Sequence, residues 1–258
     1  MTWADFSKLF DSYNRVARIY PAAVAFAPVI WTAAAFGLIP DIKSGVVAIL
    51  VFGCVLYFFA SLARSRGKVL EEDLINGWGA WPTTLFLRYR NDHYDKVTKG
   101  RYHAALAKLC KLKFSTPDEE LTDPRAADDL YRSATKKLIE ARRGPNYRML
   151  HDENASYGFR RNLLGLKLIA LIVGGLATVA TGIAWRFGLP QPVTLLSAFV
   201  AFKAAPLLGI LFALDLVYLV LIATVVRRPF VFQAAKEYTD ALFKTLDAPA
   251  DPSSPPRR

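Results

Sequence analysis

Residues 21–40, PAAVAFAPVIWTAAAFGLIP, contain no charged side chain, and residues 44–63, SGVVAILVFGCVLYFFASLA, contain none either. Each stretch is close to the ~20 apolar residues that a helix needs to cross the ~30 Å hydrocarbon core of a bilayer. Only Asp41-Ile42-Lys43 separates them, which is too short for anything but a tight link. Together they predict a transmembrane hairpin over residues 21–63.

A second apolar region covers residues 164–226. Its first part, which ends at Trp185, predicts a third crossing. The apolar stretch that follows is too long for one simple crossing, and Pro206 divides it. We therefore expect an interfacial or re-entrant helix over 192–205 and a fourth crossing from Pro206 onward. One long tilted helix through both parts is the alternative.

Residues 64–163 separate the two hairpins and contain many charged side chains, with basic ones in excess. Thr116 and Glu119 have the spacing of a capping box, and Asp123 before Pro124 indicates a helix start. No alternating strand pattern is convincing in this stretch. It is predicted to be a helical cytoplasmic domain.

The two ends of the chain have their own character. In residues 1–20, apolar side chains recur every three to four positions among charges, which is typical of an amphipathic helix at a membrane surface or against a protein. Residues 227–258 predict a short cytoplasmic helix followed by a disordered Pro/Ser-rich tail.

The chain is 53% hydrophobic and carries a net charge of +11. In a membrane protein such an excess follows from topology, because cytoplasmic flanks are rich in Lys and Arg; it also suits an anionic partner. The cations that flank the apolar stretches fall mostly on one side, which places both termini in the cytoplasm. The predicted fold is an all-α membrane protein, with four transmembrane helices in two hairpins flanking the cytoplasmic domain.

Asp215 is the strongest single candidate for a functional residue, because it falls near the middle of the fourth predicted crossing. A carboxylate there costs at least ~2.5 kcal/mol, and no basic residue is predicted at the same depth. It is expected to face a water-filled cavity, a bundle interior or a subunit interface. In an oligomer it would form an acidic ring that favours cations. A neutral Asp hydrogen-bonded inside the bundle is the alternative.

Small residues on the third predicted crossing lie at helical spacing: Gly174, Thr178, Thr181 and Gly182. Such residues let helices approach closely, so structural packing is the default interpretation. A pore lined by these small residues is the other one.

Two further sets of side chains are candidate functional residues. Cations interleaved with aromatic rings suit a phosphate-rich ligand, although such mixtures also occur on ordinary solvated helices; the candidates are Arg88, Arg90, Lys96, Lys99, Arg101, Tyr102 and His103. Polar groups just before the third crossing could couple the domain to the membrane part or simply flank it; these are Asn154, Tyr157, Arg160 and Arg161.

The run ENASYGFRRNLLGLK (Glu153–Lys167), with GWGAWPT (Gly77–Thr83) and the flanking hairpins, resembles membrane proteins of bacterial anti-phage defence loci, notably the channel subunits of the Hailong system. In such systems a nucleotidyltransferase makes a nucleotide or short oligonucleotide signal, and a membrane effector responds. The resemblance implies an oligomeric ion channel in the bacterial inner membrane, with a tetramer favoured. It also implies that an oligodeoxyadenylate holds the channel shut until infection opens it.

No P-loop, nucleophile elbow, paired cysteine or metal-ligand spacing is present in the sequence, which predicts a protein that is not an enzyme and needs no cofactor or metal. The first functional hypothesis is a homo-oligomeric channel gated by a ligand on the cytoplasmic domain. The second is a non-conducting membrane anchor or scaffold whose basic domain recruits a protein or nucleic acid.

Overall fold

A computed structural model describes residues 12–36, 46–144, 146–187 and 195–247. For residues 46–53, 56, 187 and 195–205 it describes the backbone alone. Residues 1–11 of the predicted amphipathic helix, the link 41–43, the start of the segment at 192 and the tail from residue 248 lie outside the described residues.

Every regular element within the described ranges is helical, which confirms the all-α class. In chain order the helices are α1 Ser12–Ala35, α2 Val46–Trp78, α3 Pro82–Leu85, α4 Lys96–Cys110, α5 Pro117–Thr122, α6 Pro124–Ala141, α7 Arg148–Phe187, α8 Leu195–Thr224 and α9 Arg228–Lys244.

Three stretches are long and apolar enough to cross a membrane: Ser12–Ala35, Arg148–Arg186 and Pro206–Thr224. They correspond to the first, third and fourth predicted crossings. The second predicted crossing coincides with the start of α2, where only the backbone of residues 46–53 and 56 is described. The three spans therefore refer to the described residues alone.

Helix α1 does not stop at residue 20, where the sequence predicted a separate amphipathic helix to end. It continues from Ser12 through the first predicted crossing. A π-helical turn over Arg15–Ile19 precedes Pro21 and widens the helix there. Residues 12–20 are thus the first turns of the apolar helix, because a proline near a helical irregularity is accommodated without ending it.

Helix α8 likewise runs through Pro206, which was expected to divide it. Over Leu195–Thr224 the structure has the alternative, one continuous helix. A proline removes one backbone hydrogen bond, but in an apolar helix this loss does not force a break.

The chain forms two compact units. The first combines the residues up to Glu71 with Gly158–Val231, and the second combines Glu72–Tyr157 with the residues from Phe232 onward. Helices α2 and α7 contribute residues to both units. Helix α9 has most of its residues in the second unit.

In the first unit, alanines and larger apolar side chains such as Leu166 and Tyr218 share the interior, while many large apolar side chains face outward. Its interior contains Ala22, Ala25, Ala63 and Ala170, among others. Large apolar side chains on α7 are exposed in a helical stripe: Leu168, Ile172, Leu176, Val179 and Ile183. A soluble protein buries such residues, whereas a helix bundle in lipid packs small residues inside and shows large ones to the acyl chains.

The second unit has an ordinary buried core around Leu106, Tyr131, Leu138 and Phe243. Its helix starts agree with the predicted signals. The capping box of Thr116 and Glu119 is formed in both directions, and the Asp123 side chain accepts a hydrogen bond from the Ala126 N–H. These local signals need only neighbouring residues, which is why the sequence shows them directly.

Glycines bring the helices of the first unit together. A Cβ on Gly165 would lie 2.7 Å from the backbone of Arg66 and Gly67, and one on Gly158 would lie 2.8 Å from the Ala17 Cβ. Helix α2 therefore approaches α7 backbone to backbone at Gly165, and α1 packs the methyl group of Ala17 on Gly158, two turns earlier on α7.

These contacts predict a contrast between two glycines of α7. Gly165→Ala forces backbone apart, so we expect the free energy of unfolding to fall by about 1–3 kcal/mol. Gly175→Ala is the matched control, because nothing lies within 4 Å of its added Cβ. It should leave stability unchanged or raise it by up to ~1 kcal/mol. Thermal unfolding of the purified protein in detergent measures both, and equal loss in the two variants would contradict the packing.

Candidate functional site

Asp215 is fully buried and ties the three candidate spans together. The Trp31 Nε1–H donates to its Oδ1 at 2.8 Å, and the Thr181 hydroxyl lies 3.0 Å from its Oδ2. Trp31 belongs to α1, Thr181 to α7 and Asp215 to α8. One carboxyl group thus links helices that are far apart in the chain.

Of the surroundings expected for Asp215, the structure has the bundle interior. Within the chain it does not face a water-filled cavity, because its oxygens are engaged by neighbouring helices and its exposed fraction is 0%. Neutral donors take the place of the basic partner that the sequence lacks at this depth. Trp31 was not singled out from the sequence, because an indole in an apolar stretch has no visible partner until the helices pack.

The small residues of α7 pack against α8 rather than line an opening. A Cβ on Gly174 would lie 2.9 Å from Tyr218, and one on Gly182 would lie 3.0 Å from Phe212. The Thr178 hydroxyl donates to the Gly174 carbonyl of its own helix at 2.8 Å. The packing interpretation holds for these positions in the single chain.

A second polar cluster, the Asn162 junction, lies where α1, α2 and α7 meet. Asn162 Nδ2 donates to the Ala17 carbonyl at 2.6 Å. Asn162 Oδ1 accepts from the Arg161 guanidinium at 3.1 and 3.2 Å. Arg161 also forms a buried ion pair with Glu71, which accepts from Lys68 at 2.7 Å.

The Ala17 carbonyl needs this donor. In an α-helix it would accept from the N–H four residues later, but that residue is Pro21, which has no N–H. Asn162 supplies the missing hydrogen bond from a different helix. A backbone irregularity in α1 is thereby matched to one side chain of α7.

Glu71 keeps its negative charge in this junction. Burial raises the pKa of the Glu71 carboxyl, but the hydrogen bond from Lys68 and the charge and hydrogen bond of Arg161 together bring that pKa below its usual value. Arg161 and Glu71 therefore form a neutralised pair, and neither is available to an external ligand.

The predicted coupling residues lie along one continuous helix, α7. Tyr157 is buried, with its ring 6.1 Å from that of Trp81 in the second unit. In the first unit, the Arg160 guanidinium lies 4.9 Å from the centre of the Phe230 ring and donates to the Phe230 carbonyl at 3.3 Å. Asn154 is half-buried. These residues lie on one helix; Tyr157 packs within the second unit and Arg160 within the first.

Lys167 also has a structural partner that its sequence position does not show. Its ammonium donates to the carbonyls of Ala223 and Val226 at 2.9 and 2.8 Å. Cations at a helix C-terminus satisfy carbonyls that have no helical donor. Lys167 thus caps the end of α8.

The residues predicted to bind a phosphate-rich ligand divide between the interior and the surface of the second unit. Arg88 binds Asp128 in a two-pronged ion pair at 2.8 and 2.6 Å. Tyr102 is buried in the core, and Arg101 pairs with Asp247 at 2.8 Å. The remaining positions divide into buried Lys99 and His103 and exposed Arg90 and Lys96.

Lys99 and Glu120 hold one short loop between them. The Lys99 ammonium donates to the carbonyls of Arg88, at 2.9 Å, and of Asn91. On the other side, Glu120 accepts from the Tyr89 N–H at 3.1 Å to both oxygens. Burial lowers the pKa of Lys99. The charged groups of Lys99 and Glu120 therefore form hydrogen bonds to backbone atoms, since buried carbonyls and N–H groups require partners.

His103 has a defined tautomer. Its Nε2 lies 2.7 Å from the Leu87 carbonyl oxygen, so Nε2 carries the proton and donates it. Its Nδ1 then accepts from the Tyr89 hydroxyl at 3.2 Å. Burial lowers the pKa of His103, which favours the neutral ring.

Comparisons with known proteins add no assignment: no family model, curated protein or solved structure matches the chain. In the part of the chain that the structure describes, no group of three or more His, Cys, Asp or Glu side chains is arranged to hold a metal ion.

The Asp215 geometry predicts different effects for two substitutions. Asp215→Asn can still accept from Trp31 and bond the Thr181 hydroxyl, so stability should change by less than about 1 kcal/mol. Asp215→Leu leaves the buried Trp31 N–H without an acceptor and should cost about 1–3 kcal/mol. Unfolding in detergent, followed by circular dichroism, measures both. Equal losses would show that hydrogen bonding at Asp215 does not hold the helices.

His103 predicts a pH dependence. Because its pKa is lowered in the folded protein, the unfolded chain takes up a proton first as pH falls through about 6.5. Stability is therefore present above that pH and is lost below it. His103→Gln should flatten this slope, while the two curves run parallel above about pH 8. Thermal unfolding across this range tests it, and an unchanged slope in the variant would assign the dependence to other groups.

Proposed function

We propose that the chain is an integral protein of the bacterial inner membrane that acts as a homo-oligomeric ion channel or pore-forming effector. In this proposal four helices cross the bilayer in two hairpins, and both termini and the second unit are cytoplasmic. The observation that carries it is the continuity of α2 and α7. Each is one unbroken helix with part of its length in the apolar first unit and part in the second unit, which has the buried core of a water-soluble domain.

The burial pattern supports a pore between subunits rather than inside one. Asp215 and the small face of α7 are engaged within the chain, so an ion path along them would require breaking the bundle. The large exposed side chains from Leu168 to Trp185 on α7 and from Leu207 to Leu221 on α8 are apolar. Apolar constrictions can hold a pore shut by excluding water, and they open when the helices part. A tetramer remains the stoichiometry that the family resemblance favours.

The second unit is proposed to receive the signal, a nucleotide or short oligonucleotide made by a nucleotidyltransferase partner. The buried candidates are excluded from direct contact with it. Arg90 and Lys96 are exposed near the loop that Lys99 and Glu120 hold, so a phosphate could reach them. Their charge would attract the phosphate backbone without reading a base. The effector itself is proposed to carry out no chemistry.

Reconstitution tests conduction directly. The full-length protein is placed in liposomes, and ion flux is recorded with and without a short oligodeoxyadenylate. We expect flux that the oligonucleotide changes several-fold. Absence of flux under both conditions would overturn the channel, whereas flux that ignores the oligonucleotide would overturn only the proposed signal.

A charge variant tests the signal site. The double variant Arg90→Ala, Lys96→Ala removes exposed cations near the held loop and should weaken the response to the oligonucleotide roughly tenfold, while leaving basal flux intact. The matched control is Arg132→Ala, Lys136→Ala on α6, which removes the same charge from another exposed position. Equal weakening in both would mean that net charge alone governs the response.

The burial of Asp215 favours a second candidate, a non-conducting membrane anchor. A carboxyl group with both oxygens engaged in its own chain serves a stable bundle as well as it serves a channel. The anchor predicts no flux in liposomes and retention of a nucleic acid or protein partner by the second unit. Loss of that retention on neutralising Arg90 and Lys96, with no flux in any variant, distinguishes it.

A further inference from the structure

The first unit carries an excess of exposed positive charge at the end where Asn162 lies. Within its described residues the carboxyl groups are those of Glu71 and Asp215, and both are buried. The nearest exposed acids along α2 are Glu72 and Asp73, which follow directly after the unit and are outnumbered by the exposed cations. The exposed cations at the Asn162 end are Arg15, Arg64, Arg66, Lys68, Arg227 and Arg228. Of these, Lys68 contacts the already neutralised Glu71.

Contacts of α7 place these cations at one level. Asn162 reaches the Ala17 carbonyl, Gly165 touches the backbone at Arg66, and Lys167 reaches the carbonyl of Val226. Residues 162 to 167 of a helix span about 8 Å along its axis. The helix segments that carry the exposed cations are therefore at similar height, and together they form what we call the basic collar.

The basic collar lies at the edge of the apolar surface. On α7 the exposed apolar stripe begins at Leu168, directly after Lys167, and it extends to Trp185, which is 51% exposed. Those 17 steps correspond to about 26 Å of helix, close to the ~30 Å hydrocarbon thickness. Tyr20, 50% exposed on α1, follows the collar in the same way. An exposed aromatic ring there suits the membrane interface. The collar thus falls at the level of lipid headgroups.

We propose that the basic collar binds the phosphates of anionic phospholipids selectively over zwitterionic ones. Phosphatidylcholine and phosphatidylethanolamine bring their own positive charge to each phosphate, so they cannot neutralise the collar. The headgroup of phosphatidylglycerol carries only the negative charge of its phosphate. Clusters of Lys and Arg at the end of membrane helices attract anionic lipids in this way. The inference rests on membrane insertion from the proposed function, but not on conduction.

The test uses full-length protein in nanodiscs made from mixed phosphatidylcholine and phosphatidylglycerol. Lipid retained after extraction into neutral detergent is quantified. We expect phosphatidylglycerol to be enriched several-fold over its share in the mixture, and the enrichment to fall at high salt because exposed charges are screened. No enrichment, with the protein embedded in the discs, would overturn the proposal.

Charge-matched variants locate the effect. Arg64→Gln, Lys68→Gln, Arg227→Gln and Arg228→Gln together should abolish most of the enrichment. The control changes four exposed cations of the second unit, Arg132→Gln, Lys136→Gln, Lys137→Gln and Arg143→Gln, and should keep it. Loss in both sets would make the effect one of net charge and overturn a collar.

Two further measurements keep the outcome clear. Circular dichroism shows whether the collar variant is folded; if it is not, the pairs Arg64→Gln, Lys68→Gln and Arg227→Gln, Arg228→Gln are compared separately, and each should lose part of the enrichment. Inorganic phosphate is added in a parallel arm. If it displaces phosphatidylglycerol at a matched phosphate concentration, the collar is a general anion site and the lipid assignment fails.

Discussion

The hydrogen bond from Asn162 to the Ala17 carbonyl is the contact on which the apolar unit depends. Pro21 leaves that carbonyl without its helical donor, and in an apolar environment no water replaces it. Asn162 can reach the carbonyl only because Gly158 and Gly165 let α7 approach α1 and α2 closely. The same amide holds Arg161, which in turn neutralises Glu71. Asn162 thus links α7 to α1 at the level of the basic collar, beside the ion pair of Arg161 with Glu71 of α2.

Asp215 is a second polar side chain that joins helices inside the apolar unit. A carboxyl group in an apolar span suggests ion conduction, yet its hydrogen bonds to Trp31 and Thr181 make it a link between α1, α7 and α8. Polar contacts between apolar helices contribute modestly in energy but strongly in specificity, since any other register leaves a buried group unpaired. A channel built from such chains would open at contacts between bundles. In the second unit, the charged side chains of Lys99 and Glu120 likewise form hydrogen bonds to the backbone of one loop.

Much of the helix pattern could be predicted, because it depends on neighbouring residues. The charge-free stretch before Pro40, the capping box at Thr116 and the Asp123 helix start require only local chemistry. Helix α1 continues through residue 20, and α8 continues through Pro206, for which one long helix was the alternative. At Pro21 the local sequence does not show the contact that accommodates the proline, because Asn162 comes from a distant helix. The candidate phosphate-binding residues divide between surface and interior for a related reason: some cations point inward because acids such as Asp128, or backbone carbonyls that lack a donor, are packed there.

By itself the sequence determined that the chain is helical, that it has apolar segments of membrane-spanning length and that one end of those segments is basic. Local composition sets these properties, because hydrocarbon excludes charge and helices satisfy their own backbone. Only the tertiary structure decided which polar side chains form hydrogen bonds inside the protein and which are exposed at its surface. Partners for Asp215, Asn162, Lys99 and Lys167 come from distant parts of the chain, and a side chain's role depends on which of those parts packs against it. The exposed cations of the collar became visible once their buried neighbours were accounted for.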